Sequence, residues 1–153
     1  MIELTSISLV FSAIILGIFL GAQIAEACLF VPIWKKMDPD DFFEQHKTVG
    51  PMIYRFFAPL TIAATLLPLL TVIINLIYTD KQRLLLWIMG LATLAFFSTY
   101  FLYFKTANQK FADRSLENAE LSGELSRWGK WHWGRIVFEA IAFVSCVILL
   151  SVQ

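Results

Sequence analysis

Cysteine and histidine each occur only twice in this chain, charged residues make up 16% of it, and the formal net charge is zero. Each shortage excludes something. A neutral balance lacks the basic footprint of a nucleic-acid partner. With so few ligand residues there is no Cys-x-x-Cys and no His-Glu-x-x-His, so no metal cluster is written in the sequence. Cys28 lies before Trp34 and Cys146 well after Trp131. At 1.5 Å per residue those positions differ in depth by roughly 13 Å, beyond the roughly 7 Å that a disulfide spans. Both are expected to be ordinary buried thiols. Met1-Ile2-Glu3 carries no positive charge, and the apolar run behind it is about twice the length of a signal core. It reads as a retained first span. No repeat, low-complexity run or flexible linker is present.

What the chain has instead is apolar length. Hydrophobic residues make up 58% of it, and about 20 in a row suffice to cross a bilayer. Residues 5–34, 48–78, 84–104 and 131–152 meet that length. The sequence therefore predicts an all-α, four-transmembrane-helix bundle forming a single domain over residues 1–153. Asp38-Pro39-Asp40-Asp41 caps a short polar helix running through His46, with a break expected at Gly50-Pro51. Residues 106–127 read as a surface helix before the last span. Tyr78-Thr79-Asp80-Lys81 reads as a tight turn. Pro51, Pro59 and Pro68 predict a bent second span. Gly17 and Gly21 form a small-x-x-x-small pair suited to close helix approach.

Lys35, Lys36, Lys47, Lys105, Lys110, Arg114, Arg127 and Lys130 fall in two connections, against Lys81 and Arg83 on the other side. Positive charge collects in cytoplasmic loops. Residues 35–47 and 105–130 are therefore expected in the cytoplasm, as in a multi-pass protein of a bacterial inner membrane. Its surroundings would be the lipid bilayer, with further membrane subunits or a second copy as candidate partners.

Four charged residues interrupt the apolar segments: Glu26, Arg55, Arg135 and Glu139. Charge at depth costs at least about 2.5–3.5 kcal/mol, so such residues pair or serve a function. Counted from Trp34, Thr48 and Trp131, they lie at nearly one depth, about 10–12 Å inside for all but Arg135, which is one turn shallower. Trp128, His132, Arg135 and Glu139 share one helix face, and Gln23 with Glu26 offers a facing polar pair. Salt bridges Glu26–Arg135 or Arg55–Glu139 would fix helix register. Tyr54, Tyr100, Tyr103 and Asn108 lie within reach of this layer. Phe56, Phe57, Phe96, Phe97 and Tyr100 could wall a pocket for a flat molecule or simply pack. His46 and His132 fall on the same membrane side. Imidazole suits proton transfer, and a histidine pair can hold haem. The leading expectation is no cofactor, with haem or a metal bound by His46 and His132 as the alternative.

Trp128-x-x-x-His132-x-x-Arg135 at the start of the last span, Asn108 after the third, and Gly21 with Phe30-Val31-Pro32 closing the first together resemble the anthrone-oxygenase-like family. These are small four-helix membrane proteins, long classed as a domain of unknown function. The resemblance covers essentially the whole chain and implies cofactor-free oxidation of a small aromatic substrate. It points to Trp128, His132, Arg135 and Asn108. Glu26, Arg55 and Glu139 join them from the depth reading. Three functions then compete. The first is a membrane-embedded oxidoreductase for a small lipophilic substrate. In it His132 removes a proton, and Arg135 or Arg55 stabilises the resulting anion. The second is a non-catalytic subunit of a larger complex. The third is transport, which ranks last because the outer half offers only scattered Ser, Thr and Asn75.

Overall fold

The computed structural model describes residues 2–79 and 82–152. Six α-helices follow one another: α1 (Ile2–Ala25), α2 (Val31–Trp34), α3 (Pro39–Tyr78), α4 (Arg83–Thr99), α5 (Lys105–Ala112) and α6 (Asn118–Ser151). A π-helical turn, Glu26–Phe30, joins α1 to α2 without interrupting the helix. A second, Tyr100–Phe104, joins α4 to α5 in the same way. Four continuous rods result: Glu3–Trp34, Pro39–Tyr78, Arg83–Ala112 and Asn118–Ser151, all long and apolar enough to cross a membrane. By composition this is an integral, multi-pass membrane protein. The main packing runs α1 on α3, α3 on α4, α4 on α6 and α6 back on α1, an up-and-down bundle closed in chain order.

The predicted polar helices are not separate elements. Residues 39–46 are the first turns of α3, entered through Asp38, whose carboxylate accepts from the Asp40 backbone N–H at 3.0 Å. The helix runs on through Pro51, Pro59 and Pro68. Each proline removes one backbone donor, yet the helix stays continuous over 40 residues. No break occurs at Gly50-Pro51. Residues 105–112 extend the third rod, and α6 starts at Asn118 behind a reciprocal Glu117–Glu120 capping box. The connections on this side shrink to residues 35–38 and 113–117. Of the expected tight turn, Asp80 and Lys81 lie outside the described residues.

These extensions are helical because they bury an apolar stripe. Phe42 and Phe43 of α3, Phe111 of α5, and Leu121, Leu125 and Trp128 of α6 close around Trp34 and Phe104 in a core at the short-loop end. A separate core fills the rest of the bundle, from Phe19 and Phe96 through Leu16, Met89 and Ala142 to Leu9 and Leu149. Phe57 and Phe96 both lean on Phe19, with ring centroids 6.2 and 5.8 Å away. Phe56 faces outward. These aromatics therefore pack rather than wall a pocket. Both cysteines are free, but only Cys146 is buried, donating to the Leu9 carbonyl at 3.3 Å; Cys28, expected to be buried, is exposed on the bundle surface.

In the half of the bundle remote from the short loops, the scattered polar residues join α1 to α3. Thr71 donates to the Ser8 carbonyl at 3.0 Å and accepts from Ser12 at 2.8 Å, since its one hydroxyl proton is already used. Asn75 donates to the Ser8 hydroxyl at 3.4 Å and, within α3, to the Thr71 carbonyl at 2.9 Å.

The two glycines of α1 differ. A Cβ at Gly17 would come within 3.2 Å of the Phe143 ring, whereas one at Gly21 meets nothing within 4 Å. Gly17→Leu is expected to lower stability by about 1–3 kcal/mol through overpacking. Gly21→Ala should be neutral or stabilising, by up to about 1 kcal/mol from helix propensity. Denaturation in mixed micelles checks both. Equal effects would show that the close approach at Gly17 is not what the helix pair depends on.

Candidate functional site

Between the two cores lies a polar layer supplied by α1, the following π turn and α6. On the first rod it occupies Gln23 and Glu26, between Phe19 and Val31 of the two cores. On α6 it occupies His132, Arg135 and Glu139, between Trp128 and Ala142. Gln23, His132 and Glu139 have no exposed surface, Glu26 is 4% exposed, and Arg135 is partly buried.

The hydrogen bonds form one string. The Arg135 Nε donates to Gln23 Oε1 at 2.9 Å, and Gln23 Nε2 donates to Glu139 Oε2 at 2.6 Å. An arginine only donates, so the Gln23 amide has one possible orientation: oxygen to Arg135, nitrogen to Glu139. The same rule fixes His132. Arg135 Nη2 lies 3.1 Å from His132 Nδ1, which must therefore accept. The other ring nitrogen, Nε2, donates to the Gln23 backbone carbonyl at 3.0 Å. This pattern belongs to a neutral imidazole carrying its proton on Nε2. Glu26 Oε2 lies 3.7 Å from that nitrogen. The Arg135 guanidinium also sits 4.4 Å above the Phe104 ring, a favourable cation–π arrangement.

The string continues toward the short loops. Trp128 stacks on His132 with centroids 4.8 Å apart and an interplanar angle of 21°. Its Nε1 donates to Asn108 Oδ1 at 2.9 Å. Asn108, Trp128, His132 and Arg135 are thus brought into one connected row. Both π turns flank it: Glu26 opens one, and Phe104 closes the other with its ring 6.4 Å from His132. Single π turns inside α-helices occur frequently at functional sites.

Arg55 does not join the layer. It is exposed, and among the described residues it has no hydrogen-bond or ion-pair partner. The inward stripe of α3 passes through Ala64, Pro68, Thr71 and Asn75, and at 100° per residue Arg55 lies about 140° from Pro68. Depth alone had put it in the layer. Neither expected salt bridge forms directly: Gln23 takes the place facing Glu139, and His132 lies between Glu26 and Arg135. Tyr54 is exposed as well. Tyr103 is engaged elsewhere, donating to Glu124 Oε1 at 2.7 Å, with Arg127 on the other carboxylate oxygen at 3.3 Å.

The two histidines do not meet. His46 stacks on Phe42 and edges Phe111, with its ring against Gly50. Phe42, Trp34 and Trp128 stand in ring contact between it and His132. Both nitrogens of His132 are committed within the protein. A haem iron held by His46 and His132 does not fit this arrangement. Among the described residues, no group of three or more His, Cys, Asp or Glu side chains is placed to hold a metal ion.

No protein-family model, curated protein or solved structure matches this chain. The site therefore rests on its own geometry. Sequence reasoning placed Gln23 beside Glu26, facing the last span, but gave it no role, yet it is the residue that links Arg135 to Glu139. Its signal was present: an amide in an apolar span, one helical turn from an acid. One atom stands apart. Glu139 Oε1 is buried and, among the described residues, has no hydrogen-bond partner.

Proposed function

We propose that this chain is a membrane-embedded oxidoreductase that oxygenates a small lipophilic aromatic ketone, as its resemblance to the anthrone-oxygenase-like family implies. The observation that carries the reading is the unpartnered, buried Oε1 of Glu139 beside the only cation of the layer. A carbon acid gives up its proton to an acceptor with a free lone pair. Its carbanion is stabilised by a fixed positive charge in low dielectric. His132 cannot be that acceptor in this arrangement, because Arg135 already occupies Nδ1. The acceptor role passes to Glu139, and His132 becomes a positioning residue that holds the guanidinium. For anthrone, one methylene carbon becomes a carbonyl. One atom of O2 enters it, and the other leaves as water with the two methylene hydrogens, so no further reductant is needed.

A second reading has its own support. The layer is closed, with three of its five members fully buried, which suits a non-catalytic subunit whose polar contacts hold α1 to α6. Anthrone, air and the protein in nanodiscs distinguish the two. The enzymatic reading expects oxygen uptake and anthraquinone formation in equal amounts, abolished in Glu139→Gln and retained in Arg55→Gln. Conversion no faster than with empty nanodiscs would overturn it in favour of the subunit.

A further inference from the structure

A groove of about 240 Å³ opens on the outer surface between α4 and α6, lined by Thr99, Lys130, Trp131, Gly134 and Phe138. We infer that it is a binding site for one anionic phospholipid. The α6 wall runs from Lys130 to Phe138, which at 1.5 Å per residue is about 12 Å along the membrane normal. The cation is at the short-loop end, where Trp131 stacks on Tyr103 with centroids 5.1 Å apart and rings nearly parallel. Paired aromatic rings at that level mark the headgroup boundary. Below it the lining is apolar. The one hydroxyl of this lining, on Thr99, is used within its own helix, donating to the Phe96 carbonyl.

A cation at the boundary above a 12 Å apolar trough has the polarity of an amphiphile: phosphate at Lys130, acyl chain along Gly134 and Phe138. A wholly apolar occupant leaves the lysine unused, and a free anion leaves the trough unused. Basic pockets between helices near the interface recognise anionic headgroups in this way. Gly134 makes the trough. A Cβ there meets no atom within 4 Å, so a larger side chain fills the groove without disturbing the bundle.

The test uses the full chain in nanodiscs containing either brominated phosphatidylglycerol or brominated phosphatidylcholine. Bromine quenches tryptophan it touches, and the Trp131 contribution is the difference from Trp131→Phe. Phosphatidylglycerol is expected to quench Trp131 at least twofold more than phosphatidylcholine. Lys130→Gln should abolish that preference, and Gly134→Leu should reduce quenching by both lipids. Lys36→Gln removes a cation outside the groove and should leave the preference intact. Equal quenching by the two lipids in the native protein would overturn the assignment. So would a preference that Lys36→Gln lowers as much as Lys130→Gln does, since it would then reflect only the general positive field.

Discussion

Arg135→Met is expected to lower the unfolding free energy by about 3–5 kcal/mol, the range for removing one partner of a buried charged group. The substitution keeps most of the side-chain volume and removes the only cation of a layer that contains two carboxyl groups. It also leaves Gln23 Oε1 and His132 Nδ1 without donors. Neutral interhelical hydrogen bonds in membranes average only about 0.6 kcal/mol. The Ser12–Thr71 contact, in the half remote from the short loops, belongs to that weaker class, so the charge term decides the ranking. Adding Glu26→Gln and Glu139→Gln to Arg135→Met should recover most of the loss, because the triple variant has no uncompensated charge. Denaturation in mixed micelles measures both variants. A single-variant loss below about 1 kcal/mol, or no recovery in the triple variant, would show that the layer is not held by charge balance.

The four rods were legible because length and apolarity decide a membrane span almost alone. Their ends were not. Residues 42–46, 107–111 and 121–128 read as polar helices separate from the spans, yet each places aromatic or aliphatic side chains one helical turn apart, such as Ala107 and Phe111 or Leu121 and Leu125. That spacing marks a buried stripe once a facing surface exists, and the facing surface comes from distant parts of the chain. The candidate site divides along similar lines. Trp128, His132, Arg135 and Glu139 share a face of one helix, and local periodicity reveals that. Glu26 and Gln23 follow from depth on the first span. Arg55 has the matching depth but the wrong azimuth, and three prolines in an evenly apolar helix left its inward face unmarked. Which nitrogen of His132 carries the proton was beyond the sequence, because it depends on the Gln23 carbonyl, 109 positions away.

Gln23→Met tests the part of the site that the sequence understated. Methionine matches the shape of glutamine but neither donates nor accepts comparably. The Arg135 Nε would lose its acceptor and Glu139 Oε2 its donor at 2.6 Å, leaving Glu139 with no partner on either oxygen. At about 1–3 kcal/mol for each buried group left unsatisfied, the expected loss is roughly 2–6 kcal/mol. Gln23→Glu separates the two bonds. A carboxylate there still accepts from Arg135, but offers Glu139 an acceptor where a donor stood, so it should be no better than methionine. The combination with Arg135→Met is the stringent case. It removes both ends of the Arg135–Gln23 bond, so the double variant should lose less than the sum of the singles, by about 0.5–3 kcal/mol. Strict additivity would mean that the amide acts on Glu139 alone. The string from Asn108 to Glu139 would then be two separate contacts meeting at one side chain.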